Sequence, residues 1–145
     1  MLAFGATICT DRRELAADDF FTGLFCTALE PDELLLGVRV APAAQACYLK
    51  FEQPASRFAL TGVAVCRRER SVRVAITGLG SGVCRWPAAE LGLARRFEPQ
   101  TIDGLLPDAD QANGDIHASA EYRLHLAQVL ARRAVQQIVQ GGARA

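Results

Sequence analysis

From Asp115 to Gln140 the chain carries its longest helical pattern, DIHASAEYRLHLAQVLARRAVQQIVQ. Tyr122, Leu126, Val129, Leu130, Ala134 and Ile138 recur at steps of three and four, which puts them on one face of a helix. Glu121, His125, Gln128, Arg132 and Gln136 take the opposite face, which should be solvated. Ser119 is the expected N-cap, Glu121 sits in the first turn where it suits the helix dipole, and Gly141-Gly142 is the expected stop. Arg123 and Arg133 interrupt the apolar stripe. A bare guanidinium is costly to bury, so each is expected to snorkel or to pair with a carboxylate. A helix this one-sided needs a surface to lie on, and the strands upstream supply it.

Those strands follow from alternation. ACYLKFE at 46–52, RFALTGVAVCR at 57–67 and SVRVAITGLG at 71–80 predict a three-stranded antiparallel meander. Phe58, Leu60, Gly62, Ala64 and Cys66 share one face of the second strand; Val72, Val74 and Ile76 share one face of the third, with Arg73 turned the other way. Upstream, AFGATICT reads as a strand, Asp11-Arg12-Arg13 as a turn and ELAA as a short returning strand. Phe20, Phe21, Leu24 and Phe25 gather much of the aromatic surface in one stretch, Glu30 to Glu33 is turn chemistry, and Leu34 to Val40 is a strand closed by Pro42. APAAQA is the expected linker. Pro87 to Arg96 predicts a short helix; a second, from Glu98 to Ala109, is broken by Gly104 and Pro107. Strands followed by helices indicate an α+β fold, with the long helix packed on one face of the meander.

Composition narrows the classes. The 145 residues suit one domain, or one domain plus a further piece, and half are hydrophobic. Sixteen basic residues balance sixteen acidic ones, which favours neither nucleic acid nor an anionic membrane surface. No apolar run has the length of a membrane span and no signal-peptide pattern opens the chain, so a cytoplasmic location is expected. The five cysteines stand singly without a C-x-x-C pair, and read as small buried hydrophobes rather than as ligands or a disulfide framework.

Candidate chemistry is sparse. GLGSG contains G-x-G but lacks the third spaced glycine, and it ends a hairpin instead of opening a crossover helix, so it is not a dinucleotide fingerprint. His117 and His125 lie eight apart with no third ligand type at useful spacing, and no metal site is expected. The acidic pairs Asp18-Asp19 and Asp108/Asp110 read as helix starts and solvated loops. No catalytic acid, base or nucleophile signature is present.

Three stretches in order carry a resemblance: DDFFTGLFCTALEPDELLLGVRVAP, ACYLKFEQPASRFALTGVAV and DIHASAEYRLHLAQVLARRAV. Together they resemble the flavoprotein (medium) subunit of the molybdenum hydroxylases, the group that includes the carbon monoxide dehydrogenase medium subunit and the flavin part of xanthine dehydrogenase. The resemblance implies a three-stranded antiparallel sheet packed with a helical bundle as the C-terminal domain, at 43–145 with its pattern starting near Ala46. It implies that residues 1–42 are the C-terminal remnant of an FAD-binding α/β domain. The family binds the FAD pyrophosphate through glycine-rich segments that this sequence does not contain, so the isolated chain is expected to bind no FAD and to be inactive.

By the same resemblance, Leu35 matches a leucine whose segment lies against the flavin, Lys50 a lysine near its ring, and Tyr48 a tyrosine that stacks beside the isoalloxazine. Strand alternation alone also accounts for Tyr48 and Lys50 sharing a face. The implied role in a complete enzyme is electron transfer from iron–sulfur clusters on a small subunit through FAD, with hydroxylation at the molybdopterin centre of a large subunit. The alternative is a non-catalytic module that docks on those subunits without flavin. The aromatic stretch 20–25 is expected to be open, or hidden by self-association.

Overall fold

The computed structural model describes residues 1–42, 45–69 and 71–142. Ala43 and Ala44 of the expected linker, and Arg70 of the charged turn, lie outside them. The strands are β1 (Thr7–Thr10), β2 (Glu14–Ala16), β3 (Phe21–Gly23), β4 (Cys26–Thr27), β5 (Leu35–Arg39), β6 (Gln45–Glu52), β7 (Ala59–Arg68), β8 (Ser71–Thr77) and β9 (Cys84–Arg85). The α-helices are α1 (Ala17–Phe20), α2 (Pro87–Arg95) and α3 (Ala120–Gly142).

The meander is β6-β7-β8, antiparallel throughout, and the two-residue β9 adds a fourth strand on the β8 edge. Register puts Val65 opposite Val74 and Val63 opposite Ile76, so both strands turn their branched side chains to one face. That face meets Trp86, Ala89 and Leu93 around α2, Ile102, and the Leu124, Ala127, Leu130, Ala131, Ala134, Val135 and Ile138 stripe of α3. Ser119 caps α3, its Oγ accepting from the Tyr122 N–H at 3.2 Å.

The buried arc of α3 includes Leu126, Leu130, Ala134 and Ile138 of the expected stripe and is wider than it. Leu124, Ala127, Ala131 and Val135 are buried, whereas Tyr122 is exposed and meets Phe51 edge-on at 6.3 Å. The helix touches the sheet and the 99–105 segment together, so its covered arc is wider than one stripe. Gln128, expected to be wet, donates to the Ile102 and Leu105 carbonyls at 3.3 and 2.9 Å. The helix also runs on through Gly141 and Gly142. The expected second helix is reduced to 3₁₀ turns at Pro99–Ile102 and Ala109–Gln111, consistent with Gly104 and Pro107 between them.

The opening strand begins only at Thr7, because Leu2–Phe4 form a 3₁₀ turn. β1 lies between β2 and β5, antiparallel to both, and β3 and β4 form a separate hairpin. Leu2, Ala3, Ala6, Ile8, Ala17 and Phe20 make a second core with Cys66 and Ala75, on the face of the meander away from α3. Arg68 donates to the Phe4 and Ala41 carbonyls, and Asp18 pairs with Arg73 and Arg85 while Arg85 also pairs with Glu90. Phe20 is therefore only 4% exposed, against the expectation for the aromatic stretch, because α1 turns its ring into this core. Leu24 and Phe25 are 62% and 98% exposed at the β3–β4 tip.

Candidate functional site

Alternation in β6 turns Cys47 and Leu49 toward the α3 core and Ala46, Tyr48 and Lys50 to the opposite face. On that face the N-terminal segment covers Cys66 and Ala75 of β7 and β8, while Tyr48 on edge strand β6 is 53% exposed. The open part is a shelf. Tyr48 pairs with Ala64 and Lys50 with Gly62, which pairs in turn with Thr77. A Cβ on Gly62 would lie 2.6 Å from the Tyr48 hydroxyl oxygen and 3.1 Å from ring carbon Cε2. The tyrosine ring thus lies across bare backbone. A flat aromatic face on a flat floor, open on its outer side, fits one side of a planar ring system.

Lys50 occupies the same face, but its charge is shared. Its Nζ lies 3.1 Å from Glu52 Oε1 and donates to the Arg57 carbonyl at 3.0 Å, pinning a hairpin tip where Arg57 has φ +59°. Leu35 is on another sheet. On β5 it pairs with Thr10 of β1 and is 44% exposed, and among the described residues no hydrogen bond or ion pair joins β5 to β6. The structure thus brings Tyr48 and Lys50 together and leaves Leu35 apart.

Away from the shelf, the other polar groups singled out by the sequence serve the fold. Arg123 enters the core from α3 and donates to the Leu60 and Gly78 carbonyls at 2.6 and 2.7 Å and to Asp115 Oδ2 at 2.7 Å. The His117 backbone N–H, then Arg123, hold the Asp115 carboxyl down at about 2. Gly78 takes φ +80° and sits on the Leu60 carbonyl, so GLGSG is a crossing point of chain segments. Beside it, a cleft of about 350 Å³ is lined by Thr22, Gly80, Ser81, Asp110 and Asn113. His117 Nδ1 lies 2.8 Å from Gln53 Nε2, and His125 is exposed on α3. Among the described residues no three His, Cys, Asp or Glu side chains are grouped to hold a metal. Burial pushes the Cys47, Cys66 and Cys84 thiols up, away from nucleophilic use. Arg123 was visible in the sequence as a break in the stripe; its carboxylate lies before the N-cap, where helical spacing gives no guide. Gly62 was visible only as one member of an alternating face.

The family model for the CO dehydrogenase flavoprotein C-terminal domain matches residues 46–138, which hold the meander, α2 and most of α3. The chain belongs to this family, the flavoprotein (medium) subunits of the molybdenum hydroxylases. It is 33% identical over 143 residues to the nicotine 6-hydroxylase medium subunit of Paenarthrobacter nicotinovorans, covering 92% of this chain and 50% of that protein. It is 26% identical over 137 residues to the carbon monoxide dehydrogenase medium chain of Hydrogenophaga pseudoflava, covering 86% of this chain and 47% of that protein. Its fold matches quinoline 2-oxidoreductase from Pseudomonas putida 86, with TM-score 0.76, 24% identity and coverage of 97% of this chain and 54% of that one. Cyanide-inactivated Cu,Mo-CO dehydrogenase matches with TM-score 0.76 and 25% identity, covering 99% of this chain and 55% of that one. The chain therefore spans about half the length of the relatives it matches. Among the described residues no helix is long and apolar enough to cross a membrane.

Proposed function

We propose that this chain forms the ring-facing wall of the FAD site in the flavoprotein subunit of a cytoplasmic molybdenum hydroxylase. In this reading, 1–42 belong with the FAD-binding domain and 43–145 are the C-terminal domain. Bound FAD would supply the electron-accepting ring between iron–sulfur clusters on a small subunit and the final acceptor, with molybdopterin on a large subunit. Tyr48 would cover one side of that ring and exclude water from it. Lys50 would keep a cation at the edge of the shelf while Glu52 and the Arg57 carbonyl hold it in place. Leu35, on β5, would press on the flavin from a separate sheet.

The observation that supports this reading most is the open Tyr48 ring lying over bare Gly62 in a domain of a flavoprotein family. The test uses a complete flavoprotein subunit that contains these residues. Tyr48→Leu should increase quenching of flavin fluorescence by iodide and change the flavin reduction rate, with the fold intact by circular dichroism. Unchanged quenching and reduction would remove Tyr48 from the wall.

A further inference from the structure

We infer that Gly62 is a positioning residue: it is kept without a side chain so that the Tyr48 ring can lie flat across β7 and present its outer face to a planar ligand. This rests on the reading of Tyr48 as part of the flavin wall. Gly62 lies in the middle of a ten-residue strand between two paired neighbours, where glycine weakens a strand. It does not have a positive φ, so no backbone conformation requires it. Nor is it a bulge, since the register runs unbroken from Lys50↔Gly62 to Gly62↔Thr77.

What requires glycine is space above the strand. An added Cβ would meet the Tyr48 hydroxyl oxygen at 2.6 Å, Thr77 Cγ2 at 3.0 Å and Tyr48 Cε2 at 3.1 Å. Two of these three atoms belong to the tyrosine; the closest approach is shorter than real Cβ contacts show, and the other two are tighter than nine in ten of them. The ring is half exposed and can move outward, so a methyl group at 62 would tip it off the sheet instead of breaking the core. Thr77 flanks the same floor from β8. The strand gives up side-chain packing at one position and gains a flat aromatic surface on its neighbour.

The test begins on this chain without ligand. The chain has two tyrosines, so with tyrosine ring labelling Tyr48 and Tyr122 give separable signals by NMR. In the wild-type chain the Tyr48 ring should show cross-relaxation to the Gly62 α-protons and the Thr77 methyl. Gly62→Ala should abolish the Tyr48–Thr77 contact and lower Tm by roughly 4–8 °C. Tyr48→Phe should keep the contact, and in that background the Tm loss from Gly62→Ala should shrink, because the closest atom is gone. If Gly62→Ala does not fold, Gly62→Ala with Tyr48→Ala should, since removing the ring removes two of the three close contacts. A retained Tyr48–Thr77 contact in Gly62→Ala, or an equal Tm loss with the ring present and absent, would overturn the inference. In the flavin-loaded subunit, Gly62→Ala should raise iodide quenching as Tyr48→Leu does, while Tyr48→Phe stays near wild type. A response to Tyr48→Leu but not to Gly62→Ala overturns the positioning role. No response to Tyr48→Leu itself overturns the wall reading on which it rests.

Discussion

The body made of β6–β9, α2 and α3 and the layer made of β3 to β5 are built from similar apolar residues but use them differently. In the body, Val63, Val74, Ile76 and Val135 are fully buried, and the helix that the sheet needs is part of the same chain. In the layer, Leu34, Leu36, Val38 and Val40 stay exposed along one face of β5 and its flanks and Leu35 on the other, and β5 is itself an edge strand. Leu24 and Phe25 project from the β3–β4 tip, and Phe25 holds φ +55°. Apolar side chains exposed along an edge strand mark a surface that another surface covers. The body is held by its own core; the layer leaves its apolar side chains exposed. Residues 1–20 belong with the body energetically, since Leu2, Ile8 and Phe20 share a core with Cys66 and Ala75.

The sharpest way to break this contrast is to truncate one side chain in each region. Ile76→Ala should cost about 3–4 kcal/mol in urea unfolding, and Val38→Ala no more than about 0.5 kcal/mol. Equal costs would mean that β5 is packed in solution. Next in size is the Arg123 lock. Arg123→Met should cost about 2–3 kcal/mol, because the Leu60 and Gly78 carbonyls lose their shared donor. A change within error would show that those carbonyls find other donors. On the layer, Leu36→Lys should reduce any self-association seen by sedimentation without shifting Tm by more than a degree or two. A monomeric wild-type chain at high concentration, with β5 protected from hydrogen exchange, would contradict the exposed edge.

The smallest expected effect is acid sensitivity, which both regions carry. Glu33 is held at about 2 by Arg13, then by the Glu30 backbone N–H and the Thr10 hydroxyl, against an ordinary value of 4.5. Asp115 is held at about 2 against 3.8. Folding lowers both values, so their stabilisation is complete above the ordinary values and is lost as pH falls toward 2. Stability should be flat from pH 7 to about 5 and decline below it. Glu33→Gln should flatten part of that decline, as followed by urea midpoints; an unchanged slope would assign the acid response elsewhere.

The body was the more legible region because its patterns repeat. Alternation located β6, β7 and β8, and steps of three and four located α3. Its finer features were hidden because they depend on what comes near in space. β9 is two residues long and exists by pairing with Ala75 and Ile76. The covered arc of α3 depends on the 99–105 segment, and the partner of Arg123 lies beyond the helix start. Where the body meets the layer, the run of Phe20 and Phe21 carried no sign that α1 would bury one ring and leave the next partly open. Of the site, Tyr48 and Lys50 were placed on one face by a spacing of two, but the floor beneath the ring came from β7, sixteen and fourteen residues away for Ala64 and Gly62 by subtraction from Tyr48.

In the proposed reading this chain is a wall of the flavin site, and the FAD pyrophosphate is anchored by glycine-rich backbone of a kind that residues 1–145 do not contain. A wall touches the ring from one side and buries too little of the ligand to offset its lost freedom of motion. Titration of the purified 145-residue chain with FAD, followed by flavin fluorescence, tests this directly. A wall alone should give a colourless protein with no saturable binding at micromolar FAD, the range of about −8 kcal/mol. Stoichiometric, saturable binding in that range would contradict it, and would place the anchoring energy within these residues.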